Sequence, residues 1–197
     1  METRTRVLLT LTGLYVAAEV VSNVTAGRLV QLGPLVVPGA VFLYAVTFTL
    51  RDAIHAAGGE QVAKTAVWTG FFANLLLALY ALFVLSLPAP PWFSPEPYRV
   101  VLGQSARVVA ASLTAYLTAQ LTNTWAFERI PGPLWLKSAG SNLLAVLVDT
   151  ALFITLAFAG TGAPLLDLAA GQLVFKIAIS LLLIPLVYGV RNLATRA

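Results

Sequence analysis

The chain has 197 residues, 59% of them hydrophobic and only 10% charged, with a formal charge of +4 and no cysteine. Soluble domains carry roughly a quarter charged residues, and a soluble fold of this size has too little interior to hide so much apolar surface. The composition thus excludes a soluble globular domain, the missing cysteines exclude disulfides and thiolate metal sites, and the scattered basic residues form no polybasic run of the kind that marks a nucleic-acid partner.

A spanning helix needs about 20 apolar residues, and the chain offers six such stretches with short connections and no separate soluble domain. The first covers about residues 7–26; it follows a short N-terminal segment, has no small-residue cleavage site, and reads as a retained helix. Its end is polar, with Ser22, Asn23, Thr25, Arg28 and Gln31, and Gly33-Pro34 makes a turn. The second span covers about 35–54, with Pro38 near its start, where a missing N–H does least harm. Gly58 to Gln61 form a polar turn before the third span, about 62–87. Prolines at 88, 90, 91, 95 and 97 then forbid helix. The fourth span covers about 100–127, and a Pro-Gly-Pro turn leads to the fifth, about 134–158. Gly160 to Pro164 break the chain before the sixth, about 168–190, which Pro185 is expected to kink or end. Trp68, Trp92, Trp125 and Trp135 fall near span ends and read as interfacial anchors. Ala18, Ser22 and Ala26 form a small-residue stripe suited to close helix packing.

With six spans, Arg4, Arg6, Lys64, Arg129, Lys137, Arg191 and Arg196 share one side, and the other holds Arg28 and Arg99. The positive-inside rule then places both termini in the cytoplasm. Asp52 and Asp149 sit about equally far along the second and fifth spans, as an inverted repeat of three spans would place them.

Charged groups at membrane depth are costly and normally face the bundle interior. Here they are Glu19, Arg51, Asp52, Arg107, Asp149 and Lys176, joined by Asn23, Gln120, Asn142 and Gln172. At a rise of about 1.5 Å per residue, Glu19, Asn23, Arg107, Asp149 and Lys176 fall between the midplane and the outer face. Asp52 and His55 fall nearer the cytoplasmic end. Asn142, Asp149 and Phe153 share one helical face, as do Gln172 and Lys176. Two readings follow: ion pairs that simply hold helices together, or a polar cavity open to the outside, which the aligned stripes favour. Arg51 lies within snorkelling reach of the interface, His55 reads as a solvated loop-edge residue, and Gln120 as an interhelical hydrogen-bonder. One histidine, no cysteine and no nucleophile or phosphate-binding motif leave no catalytic arrangement beyond an Asp52–Asp149 pair that only folding could bring together; an enzyme is not expected, an intramembrane one staying as the lesser alternative, nor is a metal or cofactor.

The residues from Ser22-Asn23 through Arg28, Gly33, Pro38-Gly39, Phe42, Phe48, Asp52 and Gly59 to Ala66-Val67-Trp68 and Gly70-Phe71 resemble the queuosine precursor transporter family, also called the vitamin uptake transporter family. Arg107, Ser112, Ala115-Tyr116 and Gln120 resemble its fourth helix; Lys137, Ser141, Asp149-Thr150 and Phe153 its fifth; Phe175-Lys176, Pro185 and Tyr188 its sixth. The resemblance covers nearly the whole chain in order. The chain departs from the family's pattern at Ala56 and Asn123, where acids are common, and at Val146, where an amide is usual.

The resemblance implies a multi-pass importer of the cell (inner) membrane that takes up a 7-deazaguanine such as preQ0 or preQ1. It also implies an all-α bundle like the substrate-binding subunits of energy-coupling-factor transporters. On that basis Asp149, then Glu19, would accept the ligand's N1–H and 2-amino group, and Asn23 or Asn142 would read O6 or the pyrrole N–H. Phe153 or Phe175 would stack on the ring, while Lys176 and Arg107 offset the acids. Asp52 and Gln120 are assigned to gating or coupling. Beyond the small molecule and the lipid, a homo-oligomer or an energy-coupling module is left open as partner, as is another vitamin or nucleobase as cargo.

Overall fold

The computed structural model describes residues 3–103 and 106–195; Arg196 lies outside them. The chain forms α1 (Thr3–Thr25), β1 (Leu29–Leu32), β2 (Leu35–Pro38), α2 (Val41–Gly58), α3 (Glu60–Ser86), α4 (Glu96–Leu102), α5 (Ala106–Arg129), α6 (Leu134–Phe158), α7 (Leu165–Leu182) and α8 (Ile184–Thr195). Five stretches among the described residues are long and apolar enough to cross a membrane: Thr3–Thr25, Glu60–Ser86, Glu96–Arg129, Leu134–Phe158 and Leu165–Leu193.

The second predicted span, α2, is not among them, and its surroundings explain why. Arg51, Asp52 and His55 lower its hydropathy, yet 12 of its 18 residues are buried. It touches α1, α3, α5, α6, α7 and α8. A helix wrapped by its neighbours needs no lipid-facing apolar surface, so its charges are carried inside the protein.

Three local predictions are revised. Residues 35–38, assigned to the second span, instead pair with residues 29–32 as an antiparallel hairpin in the register Leu29↔Pro38 to Leu32↔Leu35. Gly33 has φ 60° and takes the first central position of a two-residue turn, the place glycine holds in a type II′ turn; Pro34 fits the second. The fourth span is broken near Gly103 into α4 and α5. Prolines 95 and 97 do not forbid helix at this point: Pro95 caps α4 and Pro97 sits in its first turn, where a missing N–H costs nothing. The break before Pro185 is as expected, with α7 ending at Leu182 and α8 starting at Ile184.

Close approaches fix the packing. Gly171 on α7 faces the hairpin so tightly that a Cβ there would meet the Val36 carbonyl at 2.8 Å. The Gly39 N–H bonds the Arg28 carbonyl at 2.6 Å and closes the hairpin's base. Gly70 on α3 admits Tyr116 of α5, whose hydroxyl donates to the Val67 carbonyl (2.8 Å) and lies 2.7 Å from the hydroxyl of Tyr15 on α1. Arg4 reaches the Ala57 carbonyl (3.0 Å), and the Trp135 N–H donates to Tyr188 (3.0 Å). The starts of α1 and α6, the end of α2, and α8 therefore gather at one end of the bundle, opposite the hairpin. All four tryptophans are exposed, as lipid-facing or interfacial rings should be.

Candidate substrate cavity

A cavity of about 370 Å³ opens among the helices beneath the hairpin, with Leu29 and Pro38 at its rim. Small-molecule pockets span roughly 300–1,000 Å³. Periodicity brings the side chains to it. Glu19 and Asn23 are one turn apart on α1, Asp149 and Phe153 one turn apart on α6, and Gln172 and Lys176 one turn apart on α7. All six line the cavity.

Lys176 Nζ donates to Asp149 Oδ2 and to Gln172 Oε1, both at 2.6 Å. The Tyr44 hydroxyl donates to Asp149 Oδ1 at 2.8 Å, and Lys176 Nζ lies 5.0 Å from the centre of the Tyr44 ring. Both oxygens of Asp149 are therefore engaged by protein. Glu19, 2% exposed, is met by neutral groups, the Thr47 hydroxyl and, at 3.4 Å, Gln120 Nε2. Lys176 thus pairs with Asp149, and among the described residues no cation lies within ion-pair distance of Glu19. Across the cavity lies a neutral group: Asn23 Nδ2 donates to Asn74 Oδ1 (2.5 Å), and Ser112 Oγ donates to Asn23 Oδ1 (3.3 Å).

Three residues expected at the site lie elsewhere. Arg107 is exposed, and its guanidinium donates to the carbonyls of Leu156 (2.7 Å) and Ala159 (2.6 Å); a cation at a helix C-terminus satisfies carbonyls that lack partners. Phe175 packs edge-on against Phe42 at 5.8 Å and does not line the cavity. Asn142 is buried, but it faces a second polar cluster nearer the other end of the bundle. There it accepts from Asn123 Nδ2 at 2.8 Å and contacts Ser138 Oγ at 3.5 Å.

That cluster is centred on Asp52, which pairs with Arg51 and accepts from Ser138. Arg51 is fully buried, not snorkelling, because Thr124 and Asp52 hold its guanidinium inside. His55 is also buried, not loop-edge: its Nε2 lies 2.5 Å from Glu128 Oε1, and its ring stacks on Phe127 at 4.5 Å. Gln120 joins the two sites, since its side chain donates to Glu19 and its carbonyl accepts from Thr124 at 3.0 Å. Asp52 and Asp149 therefore occupy separate clusters. Val146 is buried beside Phe48, Ala119 and Ala145. Among the described residues no three His, Asp or Glu side chains converge to hold a metal ion.

Sequence reasoning missed Asn74, Tyr44, Ser112 and Tyr116 as cavity residues. Asn74 had a signal: it is the polar residue at the centre of the apolar run of the third span. Tyrosine and serine are common enough in membrane helices that only the packing distinguishes these from others.

Residues 38–190 match the family described as "Putative vitamin uptake transporter". The chain belongs to this family. It is therefore a multi-pass protein of the cell membrane, in a family of small-molecule transporters. The "Probable queuosine precursor transporter" of Bacillus subtilis (strain 168) is 28% identical over 185 residues, covering 89% of this chain and 81% of that protein. No solved structure gives a significant match. The part matching the vitamin uptake transporter family starts after α1, so the places of Glu19 and Asn23 in the cavity rest on the geometry.

Proposed function

We propose that the protein imports a queuosine precursor, a 7-deazaguanine such as preQ0 or preQ1, which enters the cavity from the outer face beneath the hairpin. Both termini are then cytoplasmic. The observation that carries this reading is Glu19: a buried carboxyl group lining a roomy hollow with, among the described residues, no cation within ion-pair distance. Such a charge is costly on its own, and a planar ligand presenting two parallel N–H donors relieves it through charge-assisted bonds. Because Tyr44 and Lys176 already occupy Asp149, Glu19 becomes the first acceptor for the N1–H and 2-amino edge, and Asp149 the group that holds Lys176 in place. Lys176 or Gln172 can meet O6, and Phe153 supplies a ring to stack on. The identity to the Bacillus subtilis protein supports the same substrate class.

In this reading Arg51, Asp52 and their partners close the cytoplasmic end, with Gln120 linking that closure to the loaded site. The test uses cells that cannot make preQ0. Expression of the protein should restore queuosine in their tRNA at nanomolar external precursor. Glu19→Gln should weaken equilibrium binding to the purified protein by about 10–100-fold, the worth of one to two charge-assisted hydrogen bonds. Asp52→Asn should keep binding and lose uptake. Wild-type binding by Glu19→Gln would remove the basis for the site, and normal uptake by Asp52→Asn would remove Asp52 from the gate.

A further inference from the structure

The cavity has two unlike poles. One is charged, built from Glu19, Asp149 and Lys176. The other is neutral, built from Asn23, Asn74 and Ser112, and continues into a small annex of about 40 Å³ that shares these three residues with the main cavity. The rest of the annex wall is aliphatic, from Leu77, Ala81, Leu102 and Leu113 among others, and among the described residues no acidic or basic side chain lines it. Asn74 is 3% exposed and is pinned from both sides: its Oδ1 accepts from Asn23, and its Nδ2 donates to the Gly70 carbonyl at 3.0 Å. Asn23 lies four residues beyond Glu19 on α1, about 6 Å along the helix axis, which is close to the length of a fused two-ring heterocycle.

We infer that the Asn23–Asn74–Ser112 pole is the subsite for the ring substituent of the ligand, and that it selects a small, uncharged, hydrogen-bonding substituent over a cationic one. This inference rests on the deazaguanine reading and extends it. A ligand whose N1–H and 2-amino edge meets Glu19 turns its five-membered ring, and the group at position 7, towards Asn23. A nitrile there is linear, slender and a hydrogen-bond acceptor for amide N–H and serine O–H groups. An aminomethyl group arrives as an ammonium ion. It would lose its water in a pole lined, among the described residues, by no carboxylate, and burying a charge without a counter-charge is penalised heavily.

The experiment is equilibrium binding to the purified full-length protein with three compounds: 7-cyano-7-deazaguanine, 7-aminomethyl-7-deazaguanine and unsubstituted 7-deazaguanine. The wild-type protein should bind the cyano compound at least tenfold more tightly than the aminomethyl one. Asn74→Asp places a carboxylate in the pole and should shift that ratio at least tenfold towards the aminomethyl compound. Asn74→Ala should bring the cyano compound down to the affinity of the unsubstituted ring. The wild-type ratio decides the matter even if Asn74→Asp does not fold. Equal or tighter binding of the aminomethyl compound by the wild type overturns the subsite and leaves the transporter reading intact. Binding of none of the three overturns both.

Discussion

Replacing Lys176 with Met should unfold the protein far more readily than replacing Lys176 and Asp149 together. The two side chains are 4% and 5% exposed and meet at 2.6 Å. Removing one member of such a pair leaves a desolvated charge, at a cost of about 3–5 kcal/mol, whereas replacing both with neutral groups of similar size is often close to neutral. Two features place Lys176→Met at the lower end. The Tyr44 hydroxyl still donates to Asp149, and the open cavity admits water to the orphaned carboxylate. A loss of about 3 kcal/mol corresponds to a fall in Tm of about 6–12 °C for a chain of this length. Lys176→Met/Asp149→Asn should recover at least about half of that, because the asparagine can keep the Tyr44 bond without a charge to solvate. The assay is a double-mutant cycle of thermal unfolding in detergent micelles, with the single variants Lys176→Met and Asp149→Asn. If the double variant loses the sum of the single losses, the two residues are energetically independent. The account of the cavity as one balanced ion pair plus one unbalanced carboxylate then fails.

Arg107→Ala should leave ligand affinity within about twofold and lower stability by about 0.3–1 kcal/mol, the usual worth of a cation at a helix C-terminus; a binding titration beside a melting curve separates the two effects. Gly171→Val should lift the hairpin, because the new Cβ would meet the Val36 carbonyl at 2.8 Å and Val37 Cγ1 at 3.0 Å. Its signature is faster protease cleavage within residues 29–38 and faster ligand dissociation, with the helical content unchanged by circular dichroism.

Much of this arrangement is legible in the sequence because the bilayer is a severe solvent. Any ionisable group at membrane depth must be turned inwards, so Glu19, Asp149 and Lys176 could be brought together from their depths alone, as could Asn23 with them. The same argument misplaced Arg107. Depth along a helix says nothing of the direction in which a long side chain leaves it, and the free carbonyls at the end of α6 drew this one away. Asn142 shares a helical face with Asp149 but lies seven residues earlier, about 10 Å along the axis, and that distance puts it in the neighbouring cluster. Position near the end of the second span makes Arg51 read as snorkelling and His55 as a loop-edge residue, which holds for a helix that faces lipid. A central helix escapes that constraint, and a single sequence does not reveal which helix is central. The hairpin was hidden for a different reason. Leu35–Pro38 is as apolar as the helix after it, and four-residue strands carry too short a pattern to stand out from a spanning run.

The hairpin is two four-residue strands, a unit with little stability of its own, seated on α7 through Gly171 and the fully buried Val37 and closed at its base by the Gly39–Arg28 backbone bond. Swinging it aside uncovers Val37 but breaks no ion pair among the described residues. Separating the helices at the far end would pull Arg51 and Asp52 apart from Ser138 and Thr124 and strand ionised groups away from water. In the importer proposed above, the two ends are therefore unequally weighted: the hairpin end opens without separating ionised groups, and the other opens only when ligand binding supplies the energy. On that proposal the carrier without ligand rests facing the hairpin side and conducts nothing.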